Sequence, residues 1–332
     1  MLFAIAACGN TAKNPAENPG TLSASAPENN GKTPEQGNAP EVKDELVIGF
    51  NSVPSNYDPL NGFYNGVQIL YSALVQTNAD MEIVSDLATD YTVNEDALTY
   101  TFILRDGAKF SDGTAITAED VIFSFETAKG NASSLDLSRM ESISANGNEI
   151  TIRLNKPDST FILTVCNVGI VPKASYGEDF ALNPISSGPY KLVQYDVDQQ
   201  FILEANEHYY GAAPGISRVV FVKMADQDTR LMAVQSGQVD VTLTSAVVAA
   251  NNSVNGYYLL EEETVDNFGI AMPYTERQAE KNEYGYAVGN DFTCDITIRK
   301  ALAYGLDRQR VCEEALNGYG VPAYSENDGM PW

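Results

Sequence analysis

The stretch from Leu98 to Gly130 constrains the fold more than any other part of the chain. Leu98, Tyr100, Phe102 and Leu104 alternate in Leu98-Thr-Tyr-Thr-Phe-Ile-Leu104, which sets the four on one face of a β-strand. Arg105-Asp-Gly and Ser111-Asp-Gly follow as turns. Thr117-Ala-Glu-Asp120 then carries a helix-start signal of the capping-box kind, with Asp in the usual Glu position. Ala118, Val121, Ile122 and Phe125 recur at helical spacing and predict a core-facing stripe. Lys129-Gly130 ends the helix.

The other patterned segments mix the same two periods. Leu46-Val-Ile-Gly-Phe50 reads as a strand, and the turn formers of Asn51-Ser-Val-Pro-Ser-Asn-Tyr-Asp-Pro59 follow it as a loop. Val67, Leu70, Tyr71 and Leu74 predict a helix over 66–74. Asn146-Gly147, between the short strands Ser142–Ala145 and Glu149–Leu154, predicts a hairpin. Thr229–Gln235 reads as a short helix broken by Gly237. Val239, Val241 and Leu243 read as an alternating strand, and Ile298–Leu316 as a helix ended by Asn317-Gly318. Interleaved strands, hairpins and helices define a mixed α/β (α+β) class. At roughly 100–200 residues per domain, 332 residues predict about two domains.

Composition narrows the function. The formal net charge is -25, so phosphate is repelled, nucleic acid is not an expected partner, and cationic ligands are favoured over anionic ones. His208 is the sole histidine. A Ser-His-Asp or Cys-His group would have to use it, yet Asn206-Glu-His-Tyr-Tyr-Gly211 carries no nucleophile motif, and a structural role is expected. A histidine-rich metal site cannot be built from one residue. The four cysteines, Cys8, Cys166, Cys294 and Cys312, form no CxxC pair. Cys166 and Cys312 sit in apolar surroundings and read as buried inert thiols. A Cys294–Cys312 disulfide is permitted but has no support.

The N-terminus suggests export. Ile5-Ala-Ala-Cys8 has the form of a bacterial lipoprotein cleavage box, with Cys8 as the lipid attachment site. Residues 1–8 then read as the tail of a signal peptide. Residues 9–43 are rich in Asn, Pro, Glu, Gly, Ser and Ala with almost no large apolar side chain. Such a segment cannot repay its ordering entropy, which predicts a disordered tether between membrane and body. No later segment has about 20 consecutive apolar residues, so the membrane is reached through the lipid alone.

Several of these segments together resemble the family 5 extracellular solute-binding proteins, the oligopeptide-, dipeptide- and nickel-binding group of ABC importers. Thr101–Phe125 is similar to the family's signature of a strand, Arg-x-Gly-x-x-Phe-x-Asp-Gly, and Thr-Ala-x-Asp-Val opening a helix. Tyr71-Ser-Ala-Leu, Asp86-Leu-Ala, Ser187-Gly-Pro-Tyr190, Asn206-Glu-His-Tyr-Tyr-Gly211, Gln235-Ser-Gly-Gln-Val-Asp240 and Arg299-Lys-Ala-Leu-Ala-Tyr-Gly-Leu-Asp-Arg308 resemble further family motifs in the same order.

The resemblance implies a two-lobed periplasmic-binding-protein fold with a ligand in the cleft. Residues 44–268 would form the first lobe, with an inserted subdomain at about 60–185, and 269–332 would begin a second lobe expected to continue past Trp332. It also implies ligand contacts from Asn51, Ser52 and Val53, from Leu243 and Thr244 at a strand end, and from Asp266, Asn267 and Phe268 near a hinge at Gly269. Arg105, Asp112 and Asp120 are expected to hold turns and the helix start. The implied partners are a peptide or other small solute and an ABC permease with its ATPase. The binding protein itself would be a monomer without cofactor or metal, exported to the outer face of the membrane or the periplasm.

Three rival readings stay open. The same fold can serve a signalling or adhesion lipoprotein. The solute can be nickel or another small molecule. An enzyme is the weakest of the three: no Gly-x-Ser-x-Gly, phosphate loop or HExxH is present, and the scattered carboxylates that a carboxylate-based hydrolase would use single out no pair.

Overall fold

The computed structural model describes residues 43–61, 67–131, 135–251, 254–260, 269–282 and 285–325. Cys8, the tether through residue 42, and Asp266, Asn267 and Phe268 lie outside them. The chain divides into two compact units. The larger comprises residues up to Asp226 together with Val239–Val241, and the smaller comprises Gln227–Gln238 and the residues from Thr242 onward.

The larger unit is built on two sheets. In the first, strand β1 (Glu45–Phe50) is an interior strand, and it forms where the sequence predicts a strand. Strands β2 (Val75–Thr77) and β3 (Ile83–Ser85) form a separate small hairpin, after a helix α1 (Val67–Leu70). The second sheet has four antiparallel strands in the order β4-β5-β7-β6: β4 (Ala88–Val93), β5 (Thr99–Leu104), β6 (Met140–Asn146) and β7 (Glu149–Leu154). Between β5 and β6 comes helix α2 (Ala118–Gly130), which packs on β6. After the short α3 (Phe161–Val165), strands β8 (Tyr190–Asp196), β9 (Gln200–Ala205) and β10 (Arg218–Lys223) return to the first sheet, and β11 (Val241–Thr242) completes the order β11-β1-β10-β9-β8. β1 and β10 are parallel, with Phe50 opposite Lys223, and β10 with β9 and β9 with β8 are antiparallel.

The core follows the alternation. Tyr100, Phe102 and Leu104 of β5 and Ile150, Ile152 and Leu154 of β7 are all buried on one face. In the first sheet, Phe201 and Phe221 stack with ring centroids 4.4 Å apart, and Tyr57 meets Phe201 edge-on. The capping box of α2 is present: Thr117 accepts from the Asp120 amide and the Asp120 carboxylate accepts from the Thr117 amide. The buried stripe of α2 is shifted from the predicted one and is partly polar. It comprises Asp120, Val121, Ser124, Phe125 and Ala128, while Ile122 is half-buried.

Four sequence expectations need correction. The helix predicted over 66–74 stops at Leu70. The carbonyls that would continue it are taken by distant partners: Leu70 by the Ser187 and Gly188 amides, Ser72 by Ile170, and Ala73 by Leu87. Gly188 permits this approach, since a Cβ there would lie 2.7 Å from the Tyr71 nitrogen. The strand predicted over 239–243 shortens to Val241–Thr242, and Val241 is exposed where the alternation would bury it. The long helix predicted over 298–316 breaks into α6 (Ile296–Gly305), α7 (Arg308–Arg310) and a wide turn at Val311–Ala315, because Asp307 caps a new start by accepting from the Arg310 amide. Cys294 and Cys312 are free thiols, so the permitted disulfide does not form. The remaining helices of the smaller unit are α4 (Gln227–Gln235) and α5 (Ala246–Asn251).

Candidate ligand-binding site

The candidate site begins where β1 ends. β1 and β10 are adjacent and parallel, and in open α/β sheets ligands bind outside the carboxyl ends of such strands. The Met224 amide donates to the Phe50 carbonyl at 2.6 Å, which closes the ladder. Asn51 and Ser52 then emerge exposed, and Val53 is half-buried against the core. The backbone of Asn51, Ser52 and Val53 makes no hydrogen bond to another described residue, so its donors and acceptors are open to an outside partner.

The far side of this loop is fixed by buried groups that sequence reasoning missed. The Asp58 amide donates to Asn56 Oδ1 at 2.8 Å, and the Leu60 amide to Asp58 Oδ1 at 2.9 Å. Tyr176 donates its hydroxyl to Asp58 Oδ2 at 2.6 Å. The Tyr57 amide donates to the Ala181 carbonyl, and Tyr71 donates its hydroxyl to the Tyr57 carbonyl at 2.7 Å. Burial is the leading cause that raises the Tyr57, Tyr71 and Tyr176 hydroxyls above the ordinary tyrosine value, so these groups stay protonated donors or neutral packing. Only the Asx-type spacing in Asn56-Tyr-Asp58 signals these contacts locally. The partners lie more than a hundred residues away in the chain, at Tyr176 and Ala181.

In the smaller unit, Leu243 is half-buried and Thr244 exposed. Arg230 Nε donates to the Leu243 carbonyl at 3.3 Å, and Gln227 Nε2 to Ser245 Oγ at 3.0 Å, which fastens this segment to α4. Gly269 lies just after the undescribed residues 261–268.

The signature residues are occupied within the fold. Asp112 accepts from the Thr114 amide at 2.9 Å and its hydroxyl at 2.6 Å, which holds the turn. Asp120 caps α2 and accepts from the Lys173 amide at 2.9 Å. Arg105 donates to the Asp86 main-chain oxygen at 3.2 Å and lies 4.9 Å from the centroid of the Tyr210 ring. His208 sits in the turn after β9, where its amide donates to Asn206. Cys166 is buried, and burial pushes its thiol up to about 12. Among the described residues no group of three or more His, Cys, Asp or Glu side chains is arranged to hold a metal ion, and no helix is long and apolar enough to cross a membrane.

Comparison with known proteins bears on the fold and the family. Protein XP55 of Streptomyces lividans is 29% identical over 298 residues, covering 86% of this chain and 52% of that protein. The oligopeptide-binding protein AppA of Bacillus subtilis is 26% identical over 317 residues, covering 88% of this chain and 55% of AppA. Its structure with a nonapeptide matches with a TM-score of 0.67 over 89% of this chain and 60% of AppA, at 22% identity. NikZ of Campylobacter jejuni, solved with Ni(L-His), matches with a TM-score of 0.70 at 24% identity over 86% of this chain and 57% of NikZ. The expected mixed α/β binding-protein fold is therefore present, and the chain spans about half the length of the curated relatives it matches. Residues 82–332 match the family model described as bacterial extracellular solute-binding proteins, family 5 Middle, and the chain belongs to that family.

Proposed function

We propose that this protein captures a peptide-like solute and hands it to an ABC permease, tethered to the membrane by a lipid on Cys8 through residues 9–43. Peptide is favoured over nickel by one observation: the main chain of Asn51-Ser52-Val53 leaves the end of β1 without hydrogen bonds to other described residues, just ahead of the buried Tyr57–Asp58 anchor. An extended peptide laid beside such a segment is bonded through backbone groups, which gives affinity without choice of side chain. The relative AppA, an oligopeptide-binding protein, supports the same class. Leu243, Thr244, Asp266, Asn267 and Phe268 are proposed as further contacts, with movement at Gly269.

Main-chain recognition makes a distinctive prediction for the full-length protein. Asn51→Ala and Ser52→Ala should leave peptide affinity within about threefold. Ser52→Pro removes a backbone donor and should weaken binding by about tenfold, since one hydrogen bond contributes about 0.5–1.5 kcal/mol. Equal affinity for Ser52→Pro and the unmodified protein, measured by fluorescence anisotropy with labelled peptides, would overturn the loop's role.

A further inference from the structure

A buried hydrogen-bond chain in the larger unit has one proton too few if Asp86 is ionised. Asp86, Ser72 and Ser187 are all buried. Four contacts run in series: Asp86 Oδ1 to the Tyr210 hydroxyl, Tyr210 to Ser72 Oγ at 2.9 Å, Ser72 Oγ to the Ser187 carbonyl at 2.9 Å, and Ser187 Oγ to the Ile170 carbonyl at 2.8 Å. A hydroxyl donates one proton and a carbonyl none. Ser187 therefore spends its proton on Ile170, and Ser72 spends its own on Ser187. Tyr210 has one proton for two contacts, one to Asp86 and one to Ser72. With Asp86 ionised, one of those contacts sets two oxygens together without a proton between them. A proton on Asp86 Oδ1 completes the set: Asp86 donates to Tyr210, Tyr210 to Ser72, and Ser72 to Ser187. Asp86 Oδ2 still accepts from the Ala73 amide at 2.9 Å.

We propose that Asp86 is a proton-holding latch for acidic conditions, where it takes up one proton as the chain folds and thereby ties the 71–73 segment, the link between β3 and β4, the 187–188 crossing and the Tyr209-Tyr210 turn into one unit. The groups facing Asp86 are Arg105 at the end of β5, Tyr209 and Tyr210 in the turn after β9, and Cys166 after α3. Arg105 directs its hydrogen bond to the main-chain oxygen of Asp86 and its face to Tyr210, and so leaves the carboxyl to Tyr210 and Ala73. Burial pushes the carboxyl up from 3.8 to about 6, against the opposing pull of Tyr210, the Ala73 amide and Arg105.

The sign of the pH effect follows. The folded state holds the proton more tightly than the unfolded chain, so the latch contributes fully below the ordinary value of 3.8 and is lost as pH rises through about 6. Between those values the unfolding constant should rise through this group by up to about tenfold per pH unit. Asp86→Asn supplies an amide that donates to Tyr210 and a carbonyl that accepts from Ala73. This variant should fold and lack that pH-dependent component in guanidinium titrations of the whole chain. Identical pH dependence in Asp86→Asn and the unmodified chain would overturn the latch. If Asp86→Asn does not fold, the side-chain carboxyl carbon of Asp86 in the unmodified protein decides by NMR: titration near 6 supports the proposal, and titration at or below 3.8 refutes it.

Discussion

Asp120 shows how much one side chain holds in this molecule. Its carboxylate accepts from the Thr117 amide at 2.9 Å and hydroxyl at 2.6 Å, and from the Lys173 amide at 2.9 Å. One turn further along the same helix face, Ser124 donates to the Asp120 carbonyl at 2.7 Å and accepts from the Val171 amide at 3.0 Å. The capping role of Asp120 is legible in Thr117-Ala-Glu-Asp, because a cap and its partner are three residues apart. The second role is not, because Val171 and Lys173 come from a loop some fifty positions on, and no local period reports such a contact. Removing a partner from a buried donor costs about 1–3 kcal/mol. Asp120→Ala should therefore lower stability by about 2–3 kcal/mol, cap included, and Ser124→Ala by about 1–2 kcal/mol. Denaturant midpoints of the two variants check the ranking, and a smaller loss for Asp120→Ala than for Ser124→Ala would contradict it.

At the scale of elements, local signals succeeded where an element satisfies its own backbone and failed where other elements do so. β5, β7 and α2 were readable from alternation and capping, and all three form with the expected buried face or start. The 66–74 segment carries a helical period, but its carbonyls at Leu70, Ser72 and Ala73 accept from the amides of residues 87, 170, 187 and 188 instead. The 298–316 segment carried a continuous period too, but Asp307 within it is a stronger helix start than an interior residue. The turn expected at Ser111-Asp-Gly113 forms, and its glycine is required twice over. Gly113 has φ +86, and a Cβ there would lie 3.3 Å from the His208 ring. Left-handed backbone costs a residue with a Cβ about 1–2 kcal/mol. Gly113→Ala should lower the thermal midpoint accordingly, by an amount that His208→Ala reduces in the double variant. Strictly additive losses would show that the ring contact contributes nothing.

The whole molecule was legible as a class before it was legible as a site. The net charge of -25, the single histidine and the ordered motifs pointed to an α/β binding protein rather than a nucleic-acid partner or a histidine-dependent enzyme, and the family match over residues 82–332 agrees with that class. The proposed site is harder to read, because the loop beside it is held by Tyr57, Asp58 and Tyr176, whose contacts join separate parts of the chain. Asn51, Ser52 and Val53 look like any turn-rich loop until those anchors are seen. In the proposed function this scaffold presents open backbone to an extended peptide. Isothermal titration calorimetry of the full-length protein against a library of short peptides, with Ni²⁺ as a separate titrant, tests it most directly. Saturable one-to-one binding of peptides of varied side chains, without turnover, is expected. Binding of Ni²⁺ but of no peptide, or hydrolysis of the peptides, would contradict it.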